Sequence, residues 1–205
     1  MAMNFKIFET EGIASQYAAD IVRKQFNNNP TSIVVFALND EQKHFYRQLH
    51  EEIAENPVDA SQIHIFDYDS ASADFLNMGM VKDQLHSVKK TVDIEGEIKD
   101  KAKTKENKGK LTMFVGTLNA DGTVGYREVN ADSDKGLLTA REIVLLVTGS
   151  HKADVIAKLY SSNETNTDFE AGNLKSHRMT TVILDWQAAQ GLPTDVRDYY
   201  YSVFS

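Results

Sequence analysis

The run Ser32-Ile33-Val34-Val35-Phe36-Ala37-Leu38 narrows the fold more than any other feature of the chain. Successive side chains of a strand point to opposite faces, so a strand that is apolar at every position needs a cover on both sides. A central parallel strand between two layers of helices meets that need. The flanking sequence agrees. Residues 5–8 read as a short strand, and Ile13, Tyr17, Ile21, Val22 and Phe26 then recur on one helical face until Asn27-Asn28-Asn29-Pro30 ends it. After the run, Asn39 or Asp40 is placed to cap a helix carrying Phe45, Leu49 and Ile53. Ile63, Ile65 and Phe66 mark a third strand, followed by a helix through Phe75, Met78 and Val81 or Leu85. β character resumes at 111–115, 124–126, 143–147 and 180–184, and helical spacing at 153–159. Alternation of this kind predicts an α/β fold, a Rossmann-like three-layer α/β/α domain with a mostly parallel sheet over residues 1–205. The runs 33–38 and 143–147 are expected side by side at its centre.

Composition removes several classes of function. The 205 residues carry a net charge of -8, which gives no support to a general affinity for nucleic acid or an anionic membrane surface. The absence of cysteine excludes disulfides, thiolate metal sites and cysteine nucleophiles, and a cytoplasmic protein is expected. The N-terminus reaches Glu9 before any apolar run long enough for an export signal, and runs such as 33–38 and 143–147 fall far short of the roughly 20 residues of a membrane helix. His44, His50, His64 and His86 show no metal-ligand spacing, so no metal is expected. No glycine fingerprint for a dinucleotide or a nucleoside triphosphate follows a strand, so no cofactor is expected.

Two segments stand apart. The window 89–110 holds eight of the 22 basic residues against five of the 30 acidic ones, and reads as a solvated helix or mobile loop. The tail Asp198-Tyr199-Tyr200-Tyr201-Ser202-Val203-Phe204 is too aromatic for a solvated linker. It is expected to pack on the domain or on a partner subunit, which leaves a homo-oligomer open.

The stretch 137–153 carries the chemistry. Leu137-Leu138-Thr139-Ala140-Arg141-Glu142-Ile143-Val144-Leu145-Leu146-Val147-Thr148-Gly149-Ser150-His151-Lys152-Ala153 reads as a helix end, a buried strand, a glycine turn and a new helix. The first turn of that helix offers backbone N–H groups and a lysine, an anion site in outline. This segment closely resembles the "LLDAREV…LVTGSHKA" segment of glucosamine-6-phosphate deaminases, members of the sugar-phosphate isomerase and 6-phosphogluconolactonase group. Asn173-Leu174-Lys175-Ser176-His177 and Val182-Ile183-Leu184-Asp185-Trp186-Gln187-Ala188-Ala189 resemble the family's "LQLH" helix end and last "IVCDEAA" strand. Tyr46 matches a tyrosine after its phosphate loop. The resemblance covers most of the chain. It implies a sugar-phosphate ligand, with Gly149, Ser150 and Lys152 holding the phosphate.

The chain also departs from the family pattern. Leu38-Asn39-Asp40-Glu41-Gln42 stands where the family has its phosphate turn "TGSTP", which replaces a glycine and brings in two carboxylates. The resemblance then implies that this part of the phosphate site is lost. Thr117-Leu118-Asn119-Ala120-Asp121-Gly122-Thr123-Val124-Gly125-Tyr126-Arg127-Glu128 matches the catalytic "GIGxDGHIGFNE" element at Asp121, Gly122, Gly125 and Glu128, but Thr123 takes the place of the ring-opening histidine. By itself, Asn-Ala-Asp-Gly between two β runs is also a hairpin turn. Only eight residues separate Glu128 from Leu137, so the family's longer excursion, with its phosphate-gripping arginine, is missing. Ile65-Phe66-Asp67-Tyr68-Asp69 corresponds to the "(M/L)DEY" turn that supplies the enolisation base; Asp67 is the better match and Asp69 the second. The resemblance thus implies catalytic roles for Asp67, Asp121 and Glu128. An aspartate after a strand is also a common turn former. Three readings remain open: a divergent deaminase or isomerase with reduced or lost standard catalysis, a non-catalytic sugar-phosphate sensor, and a structural paralogue.

Overall fold

The structure, a computed structural model, describes residues 3–88, 93–124, 135–162 and 169–204. The principal elements are β1 (Asn4–Phe8), α1 (Glu11–Asn28), β2 (Ile33–Ala37), α2 (Lys43–Glu55), β3 (His64–Asp67), α3 (Ser72–Asn77), β4 (Leu85–Ser87), α4 (Ile94–Lys101), β5 (Met113–Gly116), β6 (Glu142–Val147), α5 (Ala153–Ser161), β7 (Thr180–Asp185) and α6 (Thr194–Tyr200). The strands join in one seven-stranded sheet of order β1-β7-β6-β5-β2-β3-β4, and every adjacent pair is parallel.

The two apolar faces of β2 divide as the pleat requires. Val34 and Phe36 join Val144 and Leu146 of β6 under α1, α2 and α3, where Ala14, Ala18, Val22, Phe26, Phe45, Leu49 and Phe75 cover them. Ile33, Val35 and Ala37 point the other way with Ile143, Leu145 and Val147, toward Ile94, Ile98, Val155, Ile156 and Leu159 of α4 and α5. The three-layer α/β/α architecture follows. One expectation needs correction: β2 and β6 are both interior strands but are not neighbours, because β5 pairs with both and lies between them. Their matching apolar patterns report burial on two faces, which any interior strand shares.

Local chemistry sets the element ends. Thr10 caps α1 by accepting the N–H of Ile13 at 3.3 Å. α3 stops at Asn77 because Gly79 turns the chain at φ +86° and Met80 N–H returns to the Phe75 carbonyl. Neither Val81 nor Leu85, the alternatives expected on that helix, lies on it: Val81 precedes the 3-10 turn Lys82–Gln84 and Leu85 opens edge strand β4. Within the lysine-rich window, Asp93 caps α4 and accepts from Glu95 N–H and Gly96 N–H; Ile94 and Ile98 are buried, while Lys99 and Lys101 stay exposed. Residues 89–92 of that window lie outside the described residues. Of the expected strand 124–126, Val124 forms an antiparallel bridge with Leu118, and 125–126 are not among the described residues. The tail packs on its own chain: Ser202 N–H donates to the Ile7 carbonyl at 2.8 Å, and Phe204 meets Tyr17 with ring centroids 5.2 Å apart. Among the described residues no helix is long and apolar enough to cross a membrane.

Phe36 is fully buried, with its ring 5.0 Å from Phe75 and 6.0 Å from Phe45. Phe36→Ala is expected to cost about 3–5 kcal/mol, seen as a lower urea midpoint with an unchanged slope.

Candidate functional site

In a parallel sheet every strand delivers its C-terminal end to the same edge. Here β2, β3 and β4 run outward in one direction and β5, β6 and β7 in the other, so the strand order reverses between β2 and β5. Ligands of open α/β sheets bind in the crevice above such a reversal. Lys152 lies beside it. This lysine follows β6 on a short 3-10 turn, Ser150–Lys152, and its side chain is 4% exposed. Its Nζ donates to the Leu118 carbonyl beyond β5 at 3.0 Å and lies 3.0 Å from Glu41 Oε2 beyond β2. His151 Nε2 is 3.2 Å from the other oxygen, Oε1. Burial by itself would raise the pKa of Glu41, but the hydrogen bonds and charges of Lys152 and His151 outweigh it and hold the carboxyl below its ordinary value. Glu41 is therefore ionised at neutral pH.

The turn after β2 has its backbone donors satisfied by side chains of the chain itself. Asn39 adopts φ +74°, a conformation that glycine takes freely and asparagine tolerates better than most residues. Asp69 reaches back from the turn after β3: Leu38 N–H donates to Oδ2 at 2.6 Å and Asn39 N–H to Oδ1 at 3.0 Å. Tyr46 O–H donates to the same Oδ2 at 2.6 Å. Glu41 N–H donates to Asn39 Oδ1 at 2.9 Å, and Gln42 N–H to the Asn39 carbonyl at 3.4 Å. An open cavity of about 840 Å³ adjoins this turn, with Tyr46, Arg47, Tyr68, Asp69 and Asp74 among its lining residues.

Asp67 is buried at the end of β3. Its Oδ1 accepts Asp69 N–H at 2.8 Å and its Oδ2 accepts Ala71 N–H at 2.6 Å. Burial dominates over these bonds and, with the negative charges of Asp69 and Asp74, lifts its pKa from the ordinary 3.8 to about 6. Each carboxylate oxygen has two lone pairs, so both can still take a proton. A base that titrates near neutrality suits proton abstraction.

The glycine turn after β6 differs from the sequence expectation. Gly149 N–H is not free: it donates to Asp185 Oδ1 at 3.0 Å, and the same oxygen accepts Ala188 N–H at 2.8 Å. Gly149 has φ +92°, and a Cβ there would meet the His151 ring at 2.8 Å, so the glycine is needed for the turn itself. Ser150 is exposed. Lys152 is the member of the expected anion trio whose side chain meets the turns after β2 and β5.

Comparison with known proteins agrees with this geometry. No protein-family model matches the chain. A curated glucosamine-6-phosphate deaminase of Geobacillus sp. (strain WCH70) is 24% identical, aligning 91% of this chain with 94% of its own. The solved structure of a monomeric glucosamine-6-phosphate deaminase superposes with a TM-score of 0.77 at 18% identity, over 92% of this chain and 100% of the other. A 6-phosphogluconolactonase of Trypanosoma brucei gives 0.65 at 13% identity, over 94% and 99%. The chain is thus similar in sequence to a glucosamine-6-phosphate deaminase and shares its fold with solved glucosamine-6-phosphate deaminase and 6-phosphogluconolactonase structures.

Against the family's phosphate turn, the structure amends the sequence argument. Asn39, at the glycine position, adopts a left-handed backbone. The N–H groups of Leu38, Asn39 and Glu41 in this turn are taken by Asp69 and Asn39. The described part of the family's catalytic element, residues 117–124, forms a hairpin. Asn119 N–H donates to the Thr123 carbonyl, and Thr123 N–H and Oγ1 donate to Asp121 Oδ1 at 2.9 and 2.7 Å. Asp121 thus helps close the turn on which it sits. Glu128 lies outside the described residues, as do Gly125, Tyr126 and Arg127. Among the described residues no group of three or more His, Asp or Glu side chains converges as a metal site would require. Sequence reasoning missed Asp69 as the partner of the β2 turn and Glu41 as the partner of Lys152. The signal was present in part, because Tyr46 and Asp69 were both singled out, but their contact spans three elements.

Asp67 should titrate near pH 6 when followed by carboxyl NMR, well above an unfolded aspartate. Because its folded pKa is the higher one, its contribution to stability is complete below the unfolded value of 3.8 and is lost as pH rises through about 6. Asp67→Ala should remove that falling component, on the order of 2–3 kcal/mol, from a urea-unfolding series between pH 4 and 7.

Proposed function

We propose that the protein is a divergent glucosamine-6-phosphate deaminase or isomerase-like protein of amino-sugar phosphate metabolism, in which standard deamination is reduced or lost. The observation that carries this reading is the Glu41 carboxylate 3.0 Å from Lys152 Nζ, an internal anion beside the cation that matches the family's phosphate ligand. In the catalytic reading Asp67 abstracts the proton at the sugar C2, Asp121 and Glu128 assist ring opening, and Lys152 holds the phosphate, while the Gly149 N–H stays with Asp185. Thr123 supports weak turnover. It replaces the family's histidine, is committed to the hairpin, and a hydroxyl with a high pKa is a poor acid or base near neutrality. Loss of such a group typically lowers a rate by about 10² to 10⁴.

A non-catalytic sugar-phosphate sensor is the second reading, favoured by a buried lysine beside the reversal while Thr123 and Asp121 are bonded to each other within the hairpin. A cytoplasmic location fits both.

Ammonia release from glucosamine 6-phosphate by the purified protein, with Asp67→Asn as the control for contaminating enzyme, decides between them. The expected rate is absent or several orders of magnitude below about 10 s⁻¹, an ordinary enzymatic rate. Turnover near that rate, abolished in Asp67→Asn, would overturn the loss of catalysis. For the sensor, a sugar phosphate at 100 times its dissociation constant should stabilise the fold by about 2.7 kcal/mol in thermal unfolding.

A further inference from the structure

A buried ammonium needs a counter-charge, and leaving one unpaired in a protein interior is strongly unfavourable. Lys152 meets this need with a neutral carbonyl, Leu118 O, and one carboxylate, Glu41. The two partners are unequal in mobility. Leu118 is backbone beside β5 and is fully buried, whereas the Glu41 side chain is 44% exposed on a three-residue 3-10 turn, Asp40–Gln42. Glu41 can swing into water, where its charge is well solvated. Lys152 cannot follow, because its stem is enclosed and its side chain is 4% exposed. The anion position beside Lys152 is therefore filled by a group on a tether and can be vacated.

We propose that Glu41 is the specificity-determining residue of this crevice: its tethered carboxylate occupies the anion position beside Lys152, so that a dianionic phosphoryl group can displace it and a monoanionic carboxylate cannot. The inference rests on the reading that the crevice takes a sugar phosphate. A tethered group competes at an effective concentration of the order of millimolar or higher. A free carboxylate brings the same charge and the same acceptor geometry as Glu41, and so gains nothing by exchange. A phosphoryl dianion brings a second charge and a third oxygen, and can engage Lys152 and His151 together in place of the two Glu41 contacts. Asp69 is not exchangeable in this way. Two backbone N–H groups and the Tyr46 hydroxyl hold it, and it completes the turn.

The test is calorimetric titration of the full chain with inorganic phosphate, glucose 6-phosphate and gluconate, comparing wild type with Glu41→Gln, Lys152→Ala, the double variant and Glu51→Gln. Glu51 is an exposed carboxylate on α2 and controls for the loss of one negative charge. Glu41→Gln should bind both phosphates about tenfold or more tightly than wild type, and should bind gluconate where wild type does not. Lys152→Ala and the double variant should lose binding, and Glu51→Gln should match wild type. Equal binding by wild type and Glu41→Gln, lost in Lys152→Ala, would overturn the role of Glu41 and leave the sugar-phosphate reading standing. A gain in Glu51→Gln equal to that in Glu41→Gln would reduce the effect to net charge and would also overturn the proposal. Absence of binding in every variant, with native circular dichroism, would overturn both.

Discussion

Seven parallel strands bring seven C-terminal ends to one edge of the sheet, and almost everything of functional interest in this protein follows from that constraint. Each strand that ends there needs a turn into its next helix, and each turn exposes backbone N–H groups. The reversal between β2 and β5 then draws the turns after β2, β5 and β6 around one crevice. Glu41, Leu118 and Lys152 come from those three turns. They lie more than thirty residues apart in the chain and meet within hydrogen-bonding distance.

The turns differ in how their polar groups are satisfied. A buried N–H without a partner is costly, and a loop built to receive phosphate either receives one or finds a substitute. Here the substitutes are side chains of the chain itself. Asp69 takes the Leu38 and Asn39 N–H groups, Asn39 takes that of Glu41, and Asp185 takes those of Gly149 and Ala188. Glu41 supplies the charge for Lys152. The departures from the family pattern thus belong together. Asp69 and Asn39 satisfy the donors of the turn after β2, where Asn39 adopts a left-handed backbone, and Asp185, which matches the family pattern, satisfies those after β6 and β7.

Asp67 and Asp69 show how neighbouring residues of one type divide their duties. Asp69 receives two backbone N–H groups and a tyrosine hydroxyl, and ties the turn after β3 to the turn after β2. Asp67 receives two N–H groups from its own turn and is buried more deeply, and desolvation leaves its pKa near 6. One carboxylate joins two turns. The other is both a turn former and a group able to exchange a proton near neutrality, so its structural and chemical roles are compatible.

The sequence alone determined the layers. Val34 and Phe36 on one face of β2, with Ile33 and Val35 on the other, require helices on both sides whatever the strand order. The segment around Gly149 and Lys152 likewise reads as a strand and a glycine turn, which the structure shows as β6 and the turn that follows it. Strand order was not legible. β2 and β6 carry the same apolar signature as β5, and burial on two faces does not say which interior strand lies next to which. Leu85 was misplaced because an apolar residue at helical spacing after Gly79 is indistinguishable, in a linear reading, from the start of an edge strand. The pairings of Glu41 with Lys152 and of Asp69 with Leu38 and Asn39 were decided by tertiary structure alone. They depend on which turns the sheet reversal brings together, and hydrogen bonds over 111 and 31 residues leave no periodicity in the chain that makes them.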